Sequence, residues 1–275
     1  MLKLPRCLVF CGPGRKCAAV RHSGEDRLDG TLFWVTATCA AVFVGLGKGG
    51  VPVITAMAVP LLSLVISPVV AAGLLLPVFL AADVFGLIAY RRSFDRRVLT
   101  IMCVVMPVGV LIGYLTANWV SDAAVTLIVG VIGLSFGLRW ILERRVEGPP
   151  VPARWGPGIF WGLITGFTSF VSHSGAAPYQ AYTYPLRLPK MVFAGTVTVA
   201  FAYINAVKLI PYYLLGQLSL ANLKVAALLM IPAVLAVFAG VALVRAVPER
   251  LFFRVVAWGL VVLSLVLLRE GWQRL

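Results

Sequence analysis

Long apolar runs, most of them of 16 to 23 residues, recur along the chain from Thr31 to Leu268 and are separated by short polar stretches. Runs of this length match helices that cross the hydrocarbon core of a bilayer. They do not alternate between apolar and polar residues, and a lipid-exposed sheet cannot satisfy the hydrogen bonds at its edges. The pattern therefore predicts an all-α polytopic membrane protein.

The apolar runs fall into two sets of five. The first covers residues 31–47, 51–66, 69–90, 98–118 and 123–142, and the second covers 157–172, 176–186, 191–214, 223–244 and 251–268. A charged, proline-rich linker, ERRVEGPPVPAR, lies between them. We therefore divide the chain into a polar tail (1–30), a first repeat (31–145), a cytoplasmic linker (146–156) and a second repeat (157–270).

Internal similarity supports a duplication of the five-segment unit. A shift of 125 residues places GKGG (47–50) over SHSG (172–175), so that Lys48 faces His173. A shift of 122 places AADVFGLIAY (81–90) over YINAVKLIPY (203–212) and pairs Asp83 with Asn205. A shift of 127 places GYLTANWVSD (113–122) over GVALVRAVPE (240–249). Three blocks in the same order predict an internal repeat.

Charge in the loops predicts that the two repeats are inverted. Arginine and lysine cluster at 91–97, 139–154, 187–190 and 245–254, whereas the loops at 67–68, 118–122 and 214–222 carry none. Basic loops lie in the cytoplasm, so the first repeat is expected to begin outside and the second inside. The basic tail would favour the cytoplasm and opposes this orientation. We expect the tail to be disordered, or to precede the true start of the protein.

Composition supports a membrane protein and argues against nucleic-acid binding. Of the 275 residues, 61% are hydrophobic and 12% are charged, against roughly 25% charged in a soluble domain. The net charge of +14 lies in short loops and the tail rather than on a face that could follow phosphates. The five cysteines form no CxxC pair and have no histidine at ligand spacing, so no metal site is predicted.

The first two segments of each repeat are short and are separated by helix-breaking residues. The first break contains the glycines around Lys48, and the second reads SHSGAAP. We predict two broken hairpins that enter from opposite faces with their tips near the midplane, each followed by three transmembrane helices. If the two segments of a hairpin instead cross the membrane fully, the chain still returns to the same side. The loop charges therefore leave the number of crossings, eight or ten, open.

The hairpin interpretation assigns an anion site to the two breaks. Each break precedes a helix whose free N–H groups and positive dipole end would face an anion. We expect the substrate-binding residues to be Lys48, Gly49, Gly50, His173, Ser174, Gly175 and Asn205. Asp83 and Lys208, which also lie inside apolar runs, are predicted as coupling or charge partners.

Each of these residues also has a purely structural interpretation. Lys48 would extend to the interface if the first segment spans fully. His173 would be a hydrogen-bonded packing residue, and Asp83 with Lys208 would form a structural ion pair.

The main functional hypothesis is a secondary transporter of a small anion, driven by the substrate gradient or by protons, with no cofactor. No GxxxxGK[ST] sequence is present, which excludes ATP hydrolysis by a P-loop. An anion channel or a non-transporting assembly factor is the alternative. An intramembrane serine protease is disfavoured, because no histidine follows His173. A homodimer is compatible with the pattern.

Several stretches resemble the sulfite exporter TauE/SafE family. They are GLGKGGVP, LSLVISPVVAAGLLLP, LRLPKMVFAGTVTVA and VRAVPERLFFRVVAWGLVVLSLVLL, and the resemblance covers about residues 31–270. It implies export of sulfite or an organosulfonate such as sulfoacetate across the bacterial inner membrane. The chain departs from the family at the second break, where SFVSHSGAAP replaces a glycine-rich stretch, and at Lys48, which interrupts the first.

Overall fold

The computed structural model describes residues 30–66, 68–116, 119, 121–142, 151–171, 173–215 and 220–273. Within these residues the chain is helical and contains no strand. The helices are α1 (Thr31–Lys48), α2 (Pro52–Ala56), α3 (Ala58–Leu62), α4 (Pro68–Tyr90), α5 (Arg96–Thr116), α6 (Asp122–Leu142), α7 (Trp155–Val171), α8 (Ala176–Thr183), α9 (Lys190–Leu214), α10 (Leu220–Ala246) and α11 (Glu249–Gln273). Residues 1–29 of the predicted tail, residues 146–150 of the linker and Ser172 lie outside the described residues.

The prediction of an all-helical fold is confirmed, and the helices follow the predicted runs closely. The second segment of each repeat is the exception, because it is not one continuous α-helix. In the first repeat it divides at Met57 into α2 and α3, and in the second α8 continues into a 3₁₀ turn, Tyr184–Leu186. Pro60 and Pro185, which lie 125 residues apart, fall in these two places. Proline lacks the N–H that would continue the helical hydrogen bonding.

Six of the described helices are long and apolar enough to cross a membrane. They are α1, α5, α9 and α11 in full, α4 from Val70 and α10 from Leu223. Helix α7, with 17 residues, is slightly shorter, and Ala123–Leu138 of α6 is a shorter apolar helix. Helices α2, α3 and α8, with 5, 5 and 8 residues, are too short to cross a ~30 Å core. Helices α2 and α3 follow α1 and pack against it, and α8 follows α7 and packs against it, as the short arm of a hairpin would.

The helices pack in a pattern that is unchanged when the two sets of five are exchanged. Counting α2 and α3 as one segment, the fourth segment of each set packs against the first segment of the other, as α5 with α7 and α10 with α1. The equivalent helices α4 and α9 pack together, as do α6 and α11. This is the packing expected of two equivalent units. Their inverted orientation in a membrane stays a prediction.

Small residues bring the helices of different sets into backbone contact. A Cβ atom on Gly45 of α1 would overlap the carbonyl oxygen of Ala233 in α10. In the equivalent pair, a Cβ atom on Gly109 of α5 would overlap the carbonyl oxygen of Leu163 in α7. Small residues allow helices in membranes to approach closely enough for dispersion forces to hold them together. The α1–α10 and α5–α7 pairs are therefore in direct backbone contact.

The first break lies near the ends of the helices that surround it. The prediction of a tip at the midplane had placed it midway along those helices. Gly50, with φ +117°, packs against Tyr90, the last residue of α4, and against Ala194 near the start of α9. The reason is the length of α1, whose 18 residues extend for about 27 Å. The Lys48 side chain, and not the break itself, reaches the middle of the neighbouring helices.

Candidate functional site

A cavity lies between the two breaks and is lined by several polar side chains that are buried in the bundle, among them Lys48, Asn205 and Lys208. Its volume is about 40 Å³, which is enough for roughly three water molecules when a water needs about 10–15 Å³ by this measure. The lining is formed by α1, α2, α4, α7, α8, α9 and the second break: Gly47, Lys48, Pro52, Thr55, Ala56, Phe79, Ser169, His173, Ala176, Val197, Thr198, Phe201, Asn205 and Lys208.

Lys48 is the last residue of α1, and its side chain forms an ion pair with Asp83 of α4. The Lys48 Nζ lies 2.5 Å from Asp83 Oδ1. Asn205 Nδ2 donates a hydrogen bond to Asp83 Oδ2 at 2.8 Å. All three side chains are buried. Both carboxylate oxygens of Asp83 are thus engaged, and the charge of Lys48 is balanced inside the protein.

Two phenylalanines related by the repeat enclose the Lys48 ammonium. Its Nζ lies 5.6 Å from the ring centroid of Phe79 and 6.0 Å from that of Phe201. These rings are separated by 122 residues, the same shift that pairs Asp83 with Asn205. A cation within about 6 Å of an aromatic face is attracted by the ring. Lys48 therefore lies at the centre of the pseudo-symmetric arrangement rather than at its edge.

Lys208 is the second buried cation of the cavity, and no described residue forms an ion pair with it. Its side chain is 1% exposed. The Nζ donates to the carbonyl oxygen of Ser169 at 3.2 Å and to the Ser169 hydroxyl at 3.1 Å. These neutral acceptors solvate an ammonium but do not balance its charge. Among the described residues that line or contact the cavity, the ion pair is Lys48–Asp83, and Lys208 is not part of it.

Two tyrosines related by the same shift of 122 residues hold the two breaks. Tyr90 of α4 donates its hydroxyl hydrogen to the carbonyl oxygen of Gly49 at 2.5 Å. Tyr212 of α9 has its hydroxyl 2.5 Å from His173 Nε2. His173 adopts φ +53°, in the left-handed region, and stacks on Phe79 with ring centroids 6.1 Å apart. Each break is therefore tied to the third segment of its own repeat.

The cavity gathers only part of the residue set expected from the sequence. Lys48, His173, Asn205 and Lys208 line it, and Asp83 contacts two of them. Gly49, Gly50, Ser174 and Gly175 are not among the lining residues. Gly50 and Gly175 instead pack against neighbouring side chains, where a Cβ would meet Tyr90 or Ser169.

The structural interpretation in which Asp83 forms an ion pair with Lys208 is wrong, because the partner of Asp83 is Lys48. Among the lining residues that the sequence interpretation missed are Phe79, Ser169, Thr198 and Phe201. Extending the 122-residue alignment two positions upstream would have found the two phenylalanines. Ser169 precedes the second break and carried no distinguishing signal.

The helices after the breaks contribute unequally to the electrostatics of the cavity. Helix α2 has only five residues, so its dipole is small, whereas α8 has eight and its first residue, Ala176, lines the cavity. Side-chain cations are therefore the main source of positive potential. Among the described residues, no group of three histidine, cysteine, aspartate or glutamate side chains lies close enough to hold a metal ion.

Comparison with known proteins assigns the chain to a family. Residues 31–267 match the family described as Sulfite exporter TauE/SafE. No curated protein and no solved structure matches the chain. The matched region covers both sets of helices and the cavity between them, and its long apolar helices are those of a multi-pass membrane protein. The chain therefore belongs to the sulfite exporter TauE/SafE family of membrane transporters.

Proposed function

We propose that the protein is a secondary transporter that exports a small sulfur oxyanion, with sulfite as the first candidate, across the cell inner membrane. The observation that carries the proposal is Lys208, a buried ammonium group without a carboxylate partner among the described residues, in a buried cavity of a sulfite exporter family member. The family supports sulfite, and the size of the cavity supports a small oxyanion over a larger organosulfonate.

An anion is the ligand that best satisfies this cavity. Transfer of an unbalanced charge into a low-dielectric interior costs several kcal/mol per ion. A bound anion offsets that cost by accepting charge-assisted hydrogen bonds from the ammonium. Ionisable groups inside membrane proteins are accordingly most often part of a substrate or ion pathway. We assign the direct contacts to Lys208, the Ser169 hydroxyl and His173.

Lys48 and Asn205 have a different role, because both contact the Asp83 carboxylate. Asp83 acts as an internal anion that a substrate would compete with. Asp83 and His173 are the groups that we propose to carry protons if transport is proton-coupled.

The arrangement of the breaks supports alternating access. The two hairpins belong to units that the loop charges orient in opposite directions, as in transporters built from inverted repeats. One break is held near the C-terminal end of α4 by Tyr90, and the other near the C-terminal end of α9 by Tyr212. We propose that opening one break exposes the cavity to one side of the membrane at a time.

Purified protein reconstituted into liposomes tests the proposal. Sulfite flux is expected to saturate with concentration, and unlabelled sulfite inside the vesicles is expected to accelerate uptake of labelled sulfite. Thiosulfate, sulfoacetate and chloride serve as competitors, and protein-free vesicles give the background. Flux that rises linearly without counterflow would assign the protein to channels. Absence of flux with all four anions, from correctly folded protein, would remove the transport function.

A further inference from the structure

We infer that Asp83 sets the charge of the transported anion, so that the cavity accepts a monoanion and rejects a dianion of the same shape. The inference deepens the proposed function and rests on it. It follows from the pairing of the buried charges at the cavity. Each of these charges belongs to a different part of the fold, and their sum is fixed by the sequence.

The charge count at the cavity is simple. Among the described residues that line or contact it, Lys48 and Lys208 are the cations, Asp83 is the acid, and His173 is the remaining titratable group. Asp83 balances Lys48 through a 2.5 Å contact. When Lys208 is protonated and His173 is a neutral imidazole, one net positive charge is left, on Lys208. A monoanion brings the cavity to neutrality.

A dianion would leave an unbalanced negative charge next to Asp83. The cavity has room for about three water molecules before a ligand enters. A bound anion displaces them, so little water is left to screen that charge. The donors that could bind a second negative charge, Lys48 and Asn205, already hold the two oxygens of Asp83. At an effective dielectric constant of about 20, two charges about 4 Å apart interact strongly enough to change affinity more than tenfold.

The hydrogen sulfite ion is the natural ligand of this charge class. Sulfite takes up a proton near neutral pH to form this monoanion, whereas sulfoacetate carries both a sulfonate and a carboxylate. The charge and the volume of the cavity therefore favour the same ligand. The chemistry that recognises it is one ammonium, one hydroxyl and one imidazole around three oxygen atoms.

Methanesulfonate and sulfate form a matched pair of probes for the test. Both are tetrahedral and nearly equal in size, but they carry one and two negative charges. Binding of each to the purified full-length protein in detergent is measured by calorimetry. Since the two anions differ in dehydration cost, the readout is the change in the methanesulfonate-to-sulfate affinity ratio between variants rather than the ratio itself.

Asp83→Asn raises the net charge of the cavity by one. It is expected to lower the methanesulfonate-to-sulfate affinity ratio about tenfold or more, because the added positive charge favours sulfate. Lys48→Gln/Asp83→Asn restores the original net charge without the ion pair, and its ratio is expected to return to within about threefold of wild type. Asn205→Asp adds a negative charge and is expected to weaken both anions, sulfate the more strongly. This variant keeps the test decisive if Asp83→Asn does not fold.

The outcomes separate the inference from the proposed function. Wild-type protein that binds sulfite, with an unchanged affinity ratio in Asp83→Asn, would overturn the charge count and leave the transporter proposal standing. A double variant that shifts the ratio as far as Asp83→Asn alone would overturn the charge count in the same way. Wild-type protein that binds neither sulfite nor either probe would refute the proposed function, and the inference with it.

Discussion

Asp83 and Asn205 form a hydrogen bond with each other, although they occupy equivalent positions in the two sets of helices. The Asn205 Nδ2 lies 2.8 Å from Asp83 Oδ2, across 122 residues of sequence. Equivalent residues of two units meet only near the axis that relates them, so the predicted repeat has its axis at the crossing of α4 and α9. Two aspartates at this place would repel each other, and an Asp–Asn pair retains one charge and gains a donor. In the charge count that we propose, this departure from symmetry leaves Asp83 as the acid at the cavity.

Replacing Lys208 by glutamine is expected to lower sulfite affinity at least about tenfold, because a charge-assisted contact worth about 1.5–3 kcal/mol is lost. Calorimetry and liposome flux measure the effect. Lys224→Gln, which removes an exposed lysine of α10, is the matched control and is expected to behave as wild type. Unchanged affinity in Lys208→Gln would place the anion elsewhere.

Replacing Lys48 by methionine is expected to destabilise the protein, since it leaves the Asp83 carboxylate buried without its cation. Breaking a buried pair in this way costs about 3–5 kcal/mol, and removing both charges costs much less. Lys48→Met/Asp83→Asn should therefore recover most of the apparent melting temperature in detergent. A double variant as unstable as the single one would show that the pair itself stabilises the fold. Both variants are expected to lose transport.

Removing the hydroxyl group of Tyr90 is expected to loosen the first break. Tyr90→Phe removes the hydrogen bond to Gly49, which is worth about 1 kcal/mol, so amide exchange in the segment 49–54 should be about fivefold faster. Tyr212→Phe should act in the same way on the second break. Tyr213→Phe is the control, because Tyr213 is 73% exposed. Exchange rates at the two breaks that are the same in Tyr90→Phe and Tyr212→Phe as in Tyr213→Phe would show that the two hydroxyl groups do not anchor the breaks.

Replacing Gly50 by alanine is expected to lower stability by about 1–3 kcal/mol, because side chains rarely adopt its backbone conformation. Its φ is +117°, and a Cβ there would also overlap the Tyr90 hydroxyl. Thermal unfolding in detergent measures the loss. Gly156→Ala is the control, since nothing lies within 4 Å of a Cβ in the first turn of α7. A melting temperature equal to that of the control would exclude strain at Gly50.

The sequence carried enough information to predict most of the helices. Hydrophobic length depends on local composition, which is why the runs at 98–118 and 191–214 match α5 and α9 to within two residues. The division at Met57 was missed, although Pro60 is the kind of residue that interrupts a helix. An apolar run predicts that a segment is buried and does not specify where its hydrogen bonding is interrupted.

The site was predictable as a set of residue types and not as a set of contacts. Lys48, Asp83, Asn205 and Lys208 stand out because polar groups are rare in apolar runs. Which lysine pairs with Asp83 depends on the distance between α1, α4 and α9, and no local pattern contains that distance. Ser169 lies among small polar residues of α7, so its contact with Lys208 had no sequence signal.

The glycine contacts of α1 with α10, and of α5 with α7, have a mechanical consequence. Helices held by backbone contact cannot slide past each other without separating. A rocking motion that keeps these contacts must carry each break together with a helix from the opposite half of the chain. Each moving body would then contain helices from both repeats. The unit that was duplicated in the sequence and the unit that moves during transport would therefore not be the same.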